Sequence, residues 1–156
     1  MQTFELRDYQ PAHHLSETTP AFTASLYIDG QWAADVRNDG RGGANRYYFK
    51  DRDLERAFHV YCEALPPLPP DDDYPDLGPL AMDADLFIGE LCERAEHEAW
   101  VAKQIRTHVL FRLKGDAEGE YRTIAVTRAR TANNRRRVVA YVRETYGERL
   151  EELLGE

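Results

Sequence analysis

The pair Asp29-Gly30, set between two runs of alternating apolar and polar residues, restricts this chain more than any other feature. A two-residue type I′ turn needs positive φ at both central positions, which Gly adopts freely and Asp tolerates. Upstream, Phe22, Ala24, Leu26 and Ile28 alternate with Thr23, Ser25, Tyr27 and Asp29; downstream, Trp32, Ala34 and Val36 share one side of Gln31–Arg37. A period of two marks strands with one buried face. The pattern predicts an antiparallel hairpin, joined by a third, aromatic strand at Arg46–Phe49 and an edge strand at Thr3–Arg7.

Helical spacing takes over after Lys50. Asp53 is read as the N-cap of a helix over Leu54–Leu65, with Leu54, Ala57, Phe58, Tyr61 and Leu65 on its apolar face, stopping at Pro66-Pro67. Six of the eight prolines fall in 66–79, so that stretch must be extended, and Asp71-Asp72-Asp73 keeps it solvated. Residues 66–82 thus read as a surface crossover within one domain spanning 1–156. A second helix, capped by Asp83, is expected from about Ala84 to Ile105, where Phe87, Ile88, Leu91, Ala95, Ala99, Ala102 and Ile105 form one stripe. Val109–Lys114 and Glu120–Thr127 predict a second hairpin around Gly115–Gly119. A last helix starts near Thr131, buries Val138, Val139, Val142 and Tyr146, and ends at Gly147, with Glu148–Leu154 a final turn or two. This order gives an α+β domain with a mainly antiparallel sheet of five to six strands and three helices.

Composition narrows the functional classes. A chain of 156 residues buries a core without disulfides or metal. No apolar run approaches the roughly 18–20 residues of a membrane span, and the N-terminus has no charged-then-apolar leader, so a cytoplasmic location without membrane contact is expected. Cys62 and Cys92 form no Cys-x-x-Cys pair and are expected reduced and buried. The net charge of −8 is uneven: residues 53–100 hold 13 acidic and 2 basic side chains, whereas 101–143 hold 3 acidic and 11 basic. Either these segments neutralise one another, or they present two opposed surface patches.

Three groups of residues are candidate sites. Gly40, Arg41, Gly42, Gly43, Asn45 and Arg46 form a glycine-rich loop that is either a hairpin support or a backbone nest for an anion or partner. It lacks the Gly-Lys-Ser/Thr of a nucleotide loop and leads into a strand, not a helix. Tyr48 joins it; its ring faces opposite to Tyr47 and Phe49, so at least one of these two sets is expected in the core. The acidic residues Asp71, Asp72, Asp73, Asp76, Asp83 and Asp85 either confer solubility or form an interaction surface that imitates a phosphate backbone. Arg128, Arg130, Arg135, Arg136 and Arg137 either meet phosphates or pair with the acids. Glu93 and His97 have metal-ligand spacing, but no second Glu-x-x-His accompanies them, and no nucleophile motif or cofactor fingerprint is present. Neither a metal nor a cofactor is expected, and an enzymatic role is disfavoured.

Three segments carry a resemblance: Asn38-Asp39-Gly40-Arg41-Gly42-Gly43-Ala44-Asn45-Arg46-Tyr47, Leu110-Phe111-Arg112-Leu113-Lys114-Gly115-Asp116 and Tyr146-Gly147-Glu148-Arg149-Leu150. Together they resemble small acidic proteins carried on phage and plasmid accessory DNA, a grouping that includes inhibitors of CRISPR effectors. The resemblance implies a context and transfers no site residue. The leading expectation is a non-enzymatic interaction protein that blocks a host defence complex by binding protein. The alternatives are a nucleic-acid binder using the arginine patches, and a small-ligand or anion binder or enzyme at Gly40–Arg46.

Overall fold

In a computed structural model, which describes residues 1–126 and 131–156, Asp29 and Gly30 take φ of 49° and 77°. They join strand β2 (Phe22–Ile28) to β3 (Gln31–Asn38), with Ile28 opposite Gln31. The Asp29 carboxylate also accepts from the Thr3 amide at 2.8 Å, which ties the turn to the strand before it. That strand, β1 (Phe4–Pro11), pairs with β2, and β4 (Arg46–Phe49) pairs with β3, so the sheet is an antiparallel meander in the order β1-β2-β3-β4. β1 is longer than expected and carries a bulge between Arg7 and Gln10, where Asp8 stands at φ 51°.

By its contacts the chain divides into two compact units, Met1–Ala95 and Glu96–Glu156. In the first, helix α1 (Arg52–Glu63) and the start of helix α2 (Ala84–Gln104) contribute to the core that covers one face of the meander. Leu26, Ala34 and Phe58 are buried there with Ile88 and Leu91. The cap of α1 is Asp51, not Asp53: its carboxylate accepts from the Leu54 amide at 2.7 Å. The helix thus begins two residues earlier than expected; on its inner side Phe58 and Cys62 are buried, whereas Ala57 is exposed. Both cysteines are buried free thiols, and burial pushes Cys62 up to about 12.

The second unit holds a separate sheet. Strands β5 (His108–Leu113), β6 (Arg122–Ala125) and β7 (Leu150–Leu154) pair antiparallel in the order β6-β5-β7, and helix α3 (Thr131–Tyr146) packs Val142 against Phe111 and Leu113. The seven strands among the described residues therefore lie in two antiparallel sheets, and the α+β class holds. The C-terminal segment is the clearest departure from expectation. Leu150–Leu154 is a strand paired with β5, whose largely buried backbone needs a partner along each edge. Among the described residues no helix is long and apolar enough to cross a membrane.

Two local devices fix the loops. Gly40 lies at φ 80°, and a Cβ there would stand 2.4 Å from the Leu15 carbonyl oxygen. Its own carbonyl accepts from the amides of Glu17 and Thr18, each at 3.0 Å. We expect Gly40→Ala to lower the urea midpoint by an amount equivalent to about 2–4 kcal/mol, while Gly43→Ala, which meets open space, changes it little. In the β5–β6 turn, Asp116 accepts two bonds from Arg122, at 2.9 and 2.7 Å, and one from the Leu113 amide at 3.0 Å. The bonds from Arg122, then that from Leu113, hold its carboxyl below the ordinary carboxylate range. A depressed pKa contributes stability above the ordinary range and loses it as pH falls. The urea midpoint of the protein should thus exceed that of Asp116→Asn most at pH 7, the gap closing under acid titration.

Candidate functional site

The glycine-rich loop is organised by Asn38, the last residue of β3. Its Oδ1 accepts from the Thr19 hydroxyl at 3.0 Å and the Gly40 amide at 2.8 Å, while Nδ2 donates to the Gly43 carbonyl and to Asn45 Oδ1, both at 3.0 Å. The amides that would line an anion nest are turned to the chain's own oxygens. Arg41 N–H meets Asp39 Oδ1 at 3.3 Å, Gly42 N–H meets Thr19 Oγ1 at 3.3 Å, and Asn45 N–H meets Asp85 Oδ2 at 3.2 Å. Arg46 forms an ion pair with Asp39 at 3.4 Å, whereas Arg41 is exposed. These bonds support the loop as a brace for the Glu17–Thr19 segment. A hollow of about 280 Å³ beside it is lined by Phe22, Arg37, Asp39 and Arg46.

The acidic residues separate into two kinds. Asp85 belongs to the frame: it accepts from the Tyr47 hydroxyl at 2.6 Å as well as from Asn45, and so fastens β4 to the first turn of α2. Burial, and then this bond, push the Tyr47 phenol well above its ordinary value. Asp83 caps α2 through the Leu86 amide at 2.8 Å. Asp71, Asp72, Asp73 and Asp76, by contrast, are exposed in the crossover. This segment is not plain coil. Leu68 and Leu80 exchange two backbone hydrogen bonds, of 2.8 and 3.0 Å, and close the loop at its neck. Inside it, Asp71 holds the Asp73 amide at 2.8 Å, and Pro75–Leu77 make one turn of 3₁₀ helix. Tyr74, Leu77 and Leu80 are left 63%, 80% and 54% exposed among these carboxylates.

The open face of the meander is the second exposed surface of this unit. Tyr48 and Trp32 are 50% and 40% exposed. Tyr47 and Phe49 turn the other way, into the ring cluster around Phe58, in keeping with strand alternation. The Arg37 guanidinium lies over the Tyr48 ring at 5.0 Å and donates to its hydroxyl at 2.7 Å, while Arg7 stacks over Tyr27 at 4.0 Å.

In the second unit the arginine patch is also divided. Arg128 and Arg130 lie outside the described residues. Arg135 is structural: its guanidinium donates to the carbonyls of Arg106, His108 and Gly155. Arg136 and Arg137 are exposed, and Arg136 lines a hollow of about 630 Å³ with Val139, Ala140 and Arg143. His97 stacks between Trp100 and Tyr121, each ring 5.9 Å away. Among the described residues no group of three or more His, Cys, Asp or Glu side chains is placed to hold a metal ion.

Compared with protein-family models, with curated proteins and with solved structures, the chain finds no match in any of the three. Asp85 and the crossover carboxylates should therefore be told apart by experiment. Asp85→Ala leaves the half-buried Tyr47 hydroxyl and Asn45 amide without their acceptor and should cost about 1–3 kcal/mol in urea unfolding. Asp72→Asn, in the exposed loop, should leave the midpoint unchanged.

Proposed function

We propose that the protein is a non-enzymatic interaction protein that captures a protein partner through the crossover loop 66–82. One observation carries this reading: a loop closed by its own backbone bridge holds Tyr74, Leu77 and Leu80 out among four exposed aspartates. A lone exposed leucine is ordinary, but three large apolar side chains held out on one closed loop offer apolar surface for a partner. Proline and the bridge limit the conformations the loop must give up on binding, which lowers the entropic cost of association. The surrounding carboxylates select a partner with an apolar groove rimmed by lysine and arginine, and accelerate the encounter. The first unit as a whole carries 18 acidic and 8 basic side chains, which supports a basic partner.

Positively charged grooves of this kind occur on complexes that handle nucleic acid. Together with the resemblance to accessory-DNA proteins, this supports a host defence complex as the target. Blocking would come from occupying the groove, with no bond made or broken. The nucleic-acid alternative has only Arg136 and Arg137 as exposed members among the described residues of its patch.

Affinity capture from host extract, read for both protein and nucleic acid, tests the proposal. Leu77→Ser should weaken recovery of the partner by about tenfold or more, the worth of one buried leucine, with the melting temperature unchanged. Asp72→Asn with Asp76→Asn should slow association, most visibly at low salt. Recovery indifferent to all three changes would overturn the assignment to this loop. A nucleic acid recovered instead, and lost on Arg136→Ala with Arg137→Ala, would favour the alternative.

A further inference from the structure

We infer that a polar hollow on the open face of the four-stranded sheet is a receptor for a guanidinium group, an arginine side chain presented by a protein. The hollow measures about 560 Å³ and is lined by Asp8, Gln10, Thr23, Ser25, Asp35 and Tyr48, with Arg37 forming one wall. Its origin is the bulge in β1. Between Arg7 and Gln10 the register slips, Asp8 is turned out at φ 51°, and the edge strand departs from the regular ladder beside Thr23 and Ser25. Bulges re-aim side chains in this way, and aspartate is among the few residues that tolerate the left-handed conformation.

The charge of the hollow favours a cation. Asp35 uses one oxygen, Oδ1, to accept from the Ser25 hydroxyl and the Trp32 indole N–H, both at 3.1 Å, and both donors are neutral. No cation among the described residues forms an ion pair with Asp8 or Asp35. Arg37 is bonded to the Tyr48 hydroxyl. Two carboxylates thus face one guanidinium, in a unit with an excess of ten negative charges.

The shape of the lining favours guanidinium over ammonium. A guanidinium is planar, offers five donors in a fixed fork, and stacks on aromatic rings. Carboxylate oxygens on two strands, the Gln10 amide and the Thr23 hydroxyl supply acceptors, beside the Tyr48 ring on which Arg37 already stacks. The same sheet face already carries two such stacks of its own, Arg7 on Tyr27 and Arg37 on Tyr48.

The test needs no partner, so its outcome is separate from that of the loop experiment above. The ¹⁵N-labelled full chain is titrated with N-acetylarginine amide, and in parallel with the N-acetyllysine and N-acetylcitrulline amides. The arginine compound should shift the Trp32 indole N–H signal and the amide signals of Ser25 and Asp35. Citrulline, of the same shape without the charge, should not. In the double variant Asp8→Asn, Asp35→Asn the affinity should fall at least tenfold, with an unchanged melting temperature. Asparagine keeps an acceptor for Ser25 and Trp32 and also tolerates positive φ, so the fold is retained. Absence of shifts, equal shifts from citrulline, or undiminished binding by the double variant would overturn the receptor. Equal shifts from lysine would overturn its preference for guanidinium.

Discussion

Phe58 is the residue on which the first unit depends. It is buried on α1, and the rings of Phe4, Tyr47, Phe49 and Phe87 lie 6.0, 6.3, 5.6 and 6.0 Å from its own. Phe4 belongs to β1, Tyr47 and Phe49 to β4, so both edge strands of the meander converge on one helical side chain. Tilted ring pairs contribute specific attraction beyond the area they bury. One face of the sheet is committed to this cluster, and the aromatic and arginine side chains of the other face, Tyr27, Trp32, Tyr48, Arg7 and Arg37, are left for other uses.

The same economy explains why the charged residues sort as they do. A carboxylate within reach of buried donors is drawn into the frame, as Asp85 is by Tyr47 and Asn45. A guanidinium near unpaired carbonyls is drawn in likewise, as Arg135 is by three of them. What stays exposed is the remainder of each group. In the first unit that is carboxylate beside apolar and aromatic surface.

How much of this was legible depended on the range of the interaction. The Asp29-Gly30 turn, the strand alternation and the opposition of Tyr48 to Tyr47 and Phe49 are local properties, and the sequence carries them openly; which side is buried is settled only by packing onto Phe58. Leu150–Leu154 was not legible, because leucines at 150, 153 and 154 suit a helix as well as a strand, and only the free edge of β5 decides between them. Asp85 looked like one more acid in a row, since the groups that claim it lie some forty positions earlier. Asp53 and Asp51 compete for one cap and differ by half a turn. The hollow beside Asp8 had no signal at all: Arg7-Asp8-Tyr9-Gln10 contains no glycine to announce a bulge.

The backbone bridge between Leu68 and Leu80 has an evolutionary side. Two hydrogen bonds at the neck let the eleven residues between them vary without passing the change to the sheet or the helices. Such a segment can change in sequence while its scaffold stays as it is. A new set of exposed side chains then requires replacing a short stretch of sequence and not rebuilding a fold.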